Sequence, residues 1–274
     1  MADTVDRFPA GVPCWIDTTH PDIAAAADFY GPLFGWGFRP AGAGALIAHR
    51  DGQDVAGLGG PPGGPDAPGW VTHVRVDDVG AAVGAVRAAG GRVLAEPADV
   101  DSAGRVATVA DPTGAVLRLW QPGSRRGAGV VNAAGSWNWS NLHTPDPDAA
   151  RRFYPAVFGW QAMDLDPSGA VAMWLRPGYR EVLEHFDPAL RDRHADESVP
   201  PGFSDAVGWL VRAEPGTPAH WAVTFAVADT DATVEHAVRL GAAVTVAPYS
   251  EPPVRAAELL DPQGVAFAVN TYYP

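Results

Sequence analysis

Lysine is absent from this 274-residue sequence, so all 19 basic residues are arginine. Without lysine, no side-chain Schiff base with a carbonyl substrate can form, which excludes one class of covalent catalysis. Cysteine occurs once, as Cys14, which excludes an intramolecular disulfide and a zinc site built from cysteines. If the protein is an enzyme, we therefore expect chemistry by carboxylate or imidazole groups.

Long apolar runs are also missing. No stretch approaches the roughly 20 apolar residues of a membrane-spanning helix. The residues from Met1 to Pro9 include Asp3, Asp6 and Arg7 and lack the apolar core of a secretory signal. The sequence therefore predicts a cytoplasmic protein that does not bind membranes.

Positive charge is scarce, because the formal net charge is -13. Proteins that bind nucleic acids normally carry a basic surface, so we expect no nucleic-acid partner. No glycine-rich phosphate loop precedes a predicted helix, and we expect no cofactor. Hydrophobic residues make up 47% and charged residues 19% of the chain, which is typical of packed cores.

The sequence does contain an internal repeat. Tyr30 and Tyr154 occupy equivalent places 124 residues apart (154 − 30). The matching segments are Trp15 to Asp22 with Trp139 to Asp146, Phe29-Tyr30 with Phe153-Tyr154, and Phe34-Gly35-Trp36 with Phe158-Gly159-Trp160. Such self-similarity indicates duplicated structural units.

The later part of each copy repeats at a longer distance. Trp70 returns as Trp221, 151 residues on (221 − 70), which implies an insertion of 27 residues (151 − 124) in the second copy. The turn Asp111-Pro-Thr-Gly114 returns as Asp261-Pro-Gln-Gly264, and Asp54 to Leu58 matches Asp205 to Trp209. We predict a first module over 1–122, a linker over 123–135, and a second module over 136–274 with its insertion near 177–203.

Each copy is predicted to contain two strand-helix-strand-strand-strand units. Alternation predicts a strand over Cys14 to Thr19, and Asp22 is a typical N-cap for a helix from Ile23 to Leu33. The next unit repeats this order: strand Val71 to Val76, helix Val79 to Ala89, and strands Arg92 to Ala95, Val106 to Ala110 and Ala115 to Trp120. The predicted fold class is α+β, with four βαβββ units.

These repeated units, with the Phe-Tyr and Phe-Gly-Trp motifs and the Asp-Pro-x-Gly turns, resemble the vicinal-oxygen-chelate (glyoxalase/bleomycin-resistance/dioxygenase) superfamily. The resemblance covers the chain from about Val12 to Tyr273 and is closest to two-module actinobacterial glyoxalase-like proteins. It implies two glyoxalase-like modules with curved, mainly antiparallel sheets around cavities. It does not specify the reaction, because this fold carries lyases, isomerases, epimerases, dioxygenases and drug-sequestering proteins.

Metal-dependent members of that superfamily place His, Gln or Glu at fixed strand positions. The resemblance maps three of these ligand positions in each copy. A fourth possible ligand position lies near Val55 to Gly59 in the first copy and near Ala206 to Leu210 in the second, and neither segment contains Glu or His. The mapped residues are Trp15, Val71 and Arg118 in the first copy and Trp139, Ala222 and Ala268 in the second. Apolar or cationic side chains do not bind a divalent ion, so we predict no metal site.

Alternation along the strands predicts which side chains face the two cavities. In the first module these include two candidate proton-transfer residues, Asp17 and His73, and the substrate-binding candidates Trp15, Thr19, Arg75, Arg118 and Trp120. In the second module they include His143 as a candidate catalytic residue and Trp139, Asn141 and Asn270 as binding residues. An internal salt bridge in a packed barrel is an alternative explanation for the charged residues of the first set.

The insertion adds Tyr179 as a candidate binding residue and Glu184 and His185 as candidate acid or base, followed by an acidic stretch from Asp187 to Glu197. Inserted segments beside a cavity often act as lids. A solvated amphipathic surface helix is the alternative.

Three function classes remain. The first is a metal-independent lyase, isomerase or cyclase that acts by proton transfer on a small oxygenated metabolite, such as an aromatic or polyketide-like molecule. The second is a resistance-type protein that sequesters a small molecule without chemistry. The third is a metal-dependent glyoxalase or dioxygenase. In each case the partner is a small molecule, and the protein is a monomer or a homodimer. How the four units pair stays open, since adjacent units or the first with the fourth would both close a cavity.

Overall fold

A computed structural model describes residues 6–42, 44–59, 69–187, 200–251 and 253–273. Within this part of the chain, strands and helices follow each other as four βαβββ units. The predicted α+β fold with two glyoxalase-like modules is thereby confirmed. No helix of the described segments is long and apolar enough to cross a membrane.

The first copy contains eight strands and two helices in its described residues. Its first unit consists of β1 (Pro13–Thr19), α1 (Ile23–Phe34), β2 (Gly37–Pro40), β3 (Leu46–Arg50) and β4 (Gln53–Leu58). Its second unit consists of β5 (Gly69–Arg75), α2 (Val79–Ala88), β6 (Arg92–Val100), β7 (Gly104–Ala110) and β8 (Val116–Pro122).

The second copy repeats this order with one additional helix in its third unit. That unit consists of β9 (Ser136–Thr144), α3 (Pro147–Phe158), β10 (Gln161–Asp164), β11 (Val171–Leu175), α4 (Tyr179–Phe186) and β12 (Ala206–Arg212), with a short 3-10 helix at Phe203–Asp205. The fourth unit consists of β13 (His220–Ala226), α5 (Thr230–Arg239), β14 (Ala243–Glu251), β15 (Val254–Leu260) and β16 (Ala266–Tyr272).

An aspartate caps the first helix of every unit. The carboxylate of Asp22 accepts a hydrogen bond from the amide of Ala25, which is an orphan donor of the first helical turn. Asp78, Asp146 and Asp229 make the equivalent bond at α2, α3 and α5. The predicted cap at Asp22 is therefore correct, and one local signal sets the start of four helices.

Each copy forms one mixed sheet of eight strands. The strand orders are β2-β3-β4-β1-β5-β8-β7-β6 and β10-β11-β12-β9-β13-β16-β15-β14. β1 pairs in parallel with β4 and β5 with β8, whereas the β2–β3, β3–β4, β6–β7 and β7–β8 pairs are antiparallel. These directions follow from the βαβββ order. The last three strands of each unit form an antiparallel meander, and the helix connects the opening strand of the unit to the first strand of that meander.

The described residues also group into two compact units that differ from the two sequence copies. Unit A comprises residues from 1–14, 73–127 and 141–220, and unit B those from 15–72, 128–140 and 221–274. The second βαβββ unit therefore shares unit A with the third, and the first shares unit B with the fourth. Adjacent units are joined within one eight-stranded sheet, whereas the compact unit B combines the first with the fourth.

Unit B has a continuous aromatic core. The Tyr30, Phe34 and Trp36 side chains of the first βαβββ unit are buried with Phe225 and Phe267 of the fourth. The ring centroids of Phe34 and Phe225 are 4.7 Å apart, and those of Phe29 and Phe267 are 6.0 Å apart. These aromatic residues are core, as the helical spacing predicts.

Candidate functional site

Asp17 and Trp15 lie on one face of β1 in unit B, two residues apart, and both are buried. Asp17 is opposite Gly57 of β4 in the sheet register. A Cβ atom added at Gly57 would lie 3.0 Å from the Cβ of Asp17 and 3.5 Å from the Nε1 of Trp15. A longer side chain at position 57 would therefore displace one of them. Thr19, the third predicted β1 residue, is partly exposed at the end of the strand.

Three buried polar side chains form a row across β7, β8 and β5 in unit A. Arg118 is opposite His73 in the parallel β5–β8 pair and opposite Thr108 in the antiparallel β7–β8 pair. Residues opposite each other on neighbouring strands project from the same face. Arg118 is 0% exposed, and Thr108 and His73 are 2% exposed. The sequence predicted His73 and Arg118 on one face, but Thr108 was not predicted.

The next row carries Trp120 and Arg75, which are opposite each other in β8 and β5. The Trp120 ring lies 5.9 Å from the His73 ring in an edge-to-face arrangement, and its Nε1 donates to the carbonyl of Arg125. Arg75 forms ion pairs with Asp77 at 2.9 Å and with Asp6 at 3.6 Å. Its guanidinium is thus engaged by two carboxylates.

The equivalent face of β13 and β16 in unit B is less charged. Thr224 is opposite Ala268, and Ala226 is opposite Asn270. The Oδ1 of Asn270 accepts a hydrogen bond of 2.8 Å from the Nδ2 of Asn138. Asn270 thus has a partner in the protein, and the more open second pocket expected from the sequence stays a prediction.

Trp139, Asn141 and His143 follow one another at alternate positions of β9 and are all partly buried. Their strand neighbour is β12, in which Trp209 is opposite Asn141 and Leu210 is opposite Leu142. In the first copy Gly57 is opposite Asp17 and Leu58 is opposite Thr18. The register thus puts Trp209 at the place of Gly57, whereas the sequence match had put Gly208 there. The match between the sequence motifs is therefore one residue off at β12.

His143 stacks on His220, with ring centroids 4.9 Å apart and ring planes 7° apart. Burial, with a smaller contribution from His220, lowers the pKa of His143 to about 4. His143 is therefore neutral near pH 7, with one ring nitrogen as donor and one as acceptor. His220 did not stand out in the sequence, because it is the first residue of β13 and is far from β9 in the chain.

The insertion begins with α4, whose first residue, Tyr179, is buried. Burial raises the pKa of Tyr179 to about 12, against the opposing effect of Arg7. The carboxylate of Asp205 accepts a 2.7 Å hydrogen bond from the amide of Arg180, which joins the two ends of the insertion. Glu184 pairs with Arg180 one helical turn away.

His185 of α4 is exposed and its ring lies 5.2 Å from that of Phe186. Most of the predicted acidic stretch, from residue 188 to 197, lies outside the described residues. The lid hypothesis for the insertion stays a prediction.

Unit B also contains a buried polar network that the sequence analysis did not single out. The Oδ2 atom of Asp261 lies 2.5 Å from the Nε2 of His20 and accepts a 3.0 Å bond from the hydroxyl of Tyr30. Burial raises the pKa of Asp261, but hydrogen bonds from His20 and from two backbone amides outweigh it and hold the pKa below its usual value. Tyr154 donates to Asp111 in the same way at 2.9 Å. The tyrosine–aspartate hydrogen bond is repeated and buried, which indicates a structural role.

The donor set does not fit the metal that the fold suggests. The slots in the first copy hold the indole of Trp15, the isopropyl group of Val71 and the guanidinium of Arg118, and Gly57 provides no ligand. Among the described residues, no three His, Cys, Asp or Glu side chains are arranged to hold an ion. A buried cation at a ligand slot would repel a divalent ion.

Two family models match the chain. Residues 15–119 match the glyoxalase/bleomycin resistance protein/dioxygenase superfamily, and residues 139–270 match a glyoxalase-like domain. The solved structures that resemble it include the Mn(II)-bound glyoxalase from Novosphingobium aromaticivorans, with a TM-score of 0.61, 16% identity and coverage of 96% of this chain and 82% of that one. The 2,3-dioxygenase LapB from Pseudomonas sp. KL28 has a TM-score of 0.61, 14% identity and coverage of 97% and 94%. At these identities the likeness shows the fold alone.

Similar proteins of known sequence span almost the whole chain. CFP32 of Mycobacterium tuberculosis, which is named as a glyoxylase, is 37% identical over 273 residues that cover 96% of this chain and 95% of the relative. The anthracycline biosynthesis protein DnrV of Streptomyces peucetius is 36% identical over 281 residues, which cover 96% of this chain and 94% of DnrV. This chain therefore belongs to the glyoxalase/bleomycin resistance protein/dioxygenase superfamily.

Proposed function

We propose that the protein is an enzyme that transfers a proton on a small oxygenated, aromatic polyketide-type metabolite, as a lyase, isomerase or cyclase, without a metal ion. The observation that carries this proposal is the fully buried guanidinium of Arg118 at a strand position where metal-dependent members have a metal ligand. The aromatic polyketide class is supported by the similarity to DnrV, whose name assigns it to anthracycline biosynthesis.

Arg118 would supply the positive charge for the reaction. A guanidinium keeps its proton at all relevant pH values and presents up to five N–H donors in a fixed plane. Such a group, fixed in a buried site, stabilises the oxyanion that develops when a carbon next to a carbonyl loses its proton. The guanidinium has two polar neighbours on the same face, Thr108 on one side and His73 on the other.

His73 would accept the proton, because its imidazole shares the face of Arg118 on the neighbouring strand. Imidazole is suited to this task, since its ordinary pKa lies close to neutral pH. Asp17 is the second candidate base in the first copy, and its carboxylate is buried. His143, Glu184 and His185 are the candidates in the second copy.

Deuterium exchange tests this function directly. The parent protein is incubated in D2O with a panel of aromatic polyketide ketones, and exchange at the carbon beside each carbonyl is followed by NMR. We expect exchange by the metal-free parent, a loss of roughly a hundredfold or more for His73→Gln or Asp17→Asn, and a comparable loss for Arg118→Gln. His143→Gln, Glu184→Gln and His185→Gln test the remaining candidates.

Two results would contradict the proposal in different ways. Normal exchange in all five acid/base variants would show that the base is elsewhere. Tight binding of a ketone by the parent without any exchange would favour a protein that sequesters its ligand. Elemental analysis of the active parent is the control for metal, because one equivalent of iron, zinc or manganese would replace Arg118 as the source of positive charge.

A further inference from the structure

A second group of polar and aromatic side chains lies on the strands of the third βαβββ unit, apart from the row that contains Arg118. Asn141 and His143 of β9 alternate with Leu142 and Thr144, which are fully buried, so the two pairs project from opposite faces. Trp209 of β12 is opposite Asn141 in the register. An amide, an imidazole and an indole therefore share one face.

The amide of Asn141 carries an orphaned acceptor. Its Oδ1 atom is buried and has no hydrogen-bond partner among the residues that the structure describes. A buried carbonyl oxygen without a donor costs free energy, which is why nearly all such atoms in folded proteins have a partner. The described residues supply no O–H or N–H donor to this oxygen.

The surroundings of this acceptor are aromatic and neutral. The Phe203 ring lies 6.5 Å from the Trp209 ring. His143 is uncharged near pH 7, and its ring is fixed by stacking on His220, whose Nδ1 lies 2.9 Å from the carbonyl oxygen of Pro218. Trp209, Phe203 and His143 are each only partly buried, so a molecule can approach them.

The first copy differs at both key positions. Asp17 takes the place of Asn141, and Gly57 takes the place of Trp209. The second copy therefore has a neutral acceptor in place of a carboxylate and an indole in place of an open glycine. Both changes favour an uncharged aromatic molecule, because an indole offers a flat face for stacking and an amide oxygen accepts from a neutral hydroxyl.

We propose that Asn141, His143 and Trp209 form a binding site for a neutral hydroxylated aromatic molecule. Its hydroxyl donates to the Oδ1 atom of Asn141 while its ring lies against the Trp209 indole. An ionised phenolate would bind poorly, since it has no proton to donate and its oxygen would face the amide oxygen. This site is separate from the first-copy residues that carry the proposed proton transfer.

Equilibrium binding of two matched probes tests the site at pH 7. 2-Naphthol has the hydroxyl donor, and 2-methoxynaphthalene has the same ring system without it. By titration calorimetry we expect the parent protein to bind 2-naphthol about tenfold more tightly than the ether. Asn141→Leu should make the two affinities equal, and Asn141→Asp, which keeps an acceptor, should retain the preference.

Two further variants separate the hydrogen bond from the stacking. Trp209→Gly, which introduces the residue type found at position 57, should weaken both probes by roughly fivefold to tenfold and keep their ratio. Gln161→Leu, an amide-to-leucine change at an exposed position of β10, is the control and should alter neither affinity. Circular dichroism of each variant shows whether it is folded.

Equal affinities of the two probes in the parent, absence of binding, or a hydroxyl preference that persists in folded Asn141→Leu would each overturn the inference. If Asn141→Leu does not fold, the inference is decided by the parent's probe ratio and by the Asn141→Asp and Trp209→Gly variants. The measurement is binding without turnover. A parent that shows no deuterium exchange can therefore still bind 2-naphthol as expected, and an active parent can fail to do so.

Discussion

At the scale of the residue, His143 shows how burial makes an ordinary side chain sensitive to pH. Burial lowers its pKa from the usual 6.5 to about 4. Between these two values the unfolded chain binds more protons than the folded chain, so stability rises with pH in this window. The stability that the neutral His143 imidazole contributes is fully present above pH 6.5 and is lost as the pH falls toward 4.

We therefore expect the parent to lose more stability than His143→Gln between pH 7 and pH 4.5. A shift of this size corresponds to at most about 3 kcal/mol, and solvent screening of the partly exposed ring reduces it to about 1–2 kcal/mol. Urea unfolding at several pH values measures the difference in unfolding free energy between the parent and His143→Gln. The effects of all other titratable groups cancel in this difference. Parallel curves for the two proteins would contradict the assignment.

The sequence predicted some residues of the candidate sites better than others. The shared face of His73 and Arg118 could be predicted because strand alternation is a local property, and the strand register places them opposite each other. Trp209 and His220 could not be predicted, because their neighbours depend on strand register and on residues distant in the chain. The orphaned oxygen of Asn141 likewise depends on which donors the fold leaves nearby.

At the scale of the element, α2 is held by a close approach that tolerates no side chain. A Cβ atom at Gly91, just after the helix, would lie 2.7 Å from the Phe153 ring, 2.8 Å from the Ala110 carbonyl oxygen and 2.8 Å from Val86. One of these contacts is with backbone, so the clash cannot be relieved by a rotamer change alone. The glycine therefore sets how closely α2 packs against α3 and β7.

Gly91→Ala should destabilise the protein by about 1–3 kcal/mol through overpacking. The matched control is Gly84→Ala in the middle of α2, where a Cβ atom meets nothing within 4 Å. That change should stabilise by roughly 0.5–1 kcal/mol, because alanine is the better helix former. Thermal unfolding distinguishes the two, and equal melting temperatures would contradict the packing argument.

The sequence predicted most elements well because their signals are local. The aspartate caps fixed the starts of α1 and α2, and alternation fixed most strands to within two residues. The strand predicted from Arg92 to Ala95 extends to Val100 and includes Pro97. At the edge of the sheet a proline is tolerated, because no neighbour requires its missing N–H group.

At the scale of the whole molecule, the sequence could not determine how the four units pair, because every unit has the same pattern of apolar residues. The structure groups the second with the third and the first with the fourth. In compact unit B the aromatic core combines Phe29 and Phe34 of the first unit with Phe225 and Phe267 of the fourth. Each sequence copy therefore contributes to both compact units.

This arrangement predicts that neither sequence copy is stable alone. Residues 1–127, expressed without the rest, would expose Phe29 and Phe34, which Phe225 and Phe267 cover in the full chain. Exposing a buried phenylalanine costs about 1.5–3 kcal/mol, so the loss for both is a large part of the stability of an ordinary domain, about 5–15 kcal/mol. Each fragment should therefore lack a cooperative unfolding transition, and co-expression of 1–127 with 128–274 should restore a soluble complex. Circular dichroism during heating measures this, with the intact chain as reference. A cooperative transition in isolated 1–127 would instead show that a sequence copy, and not a compact unit, is what folds independently.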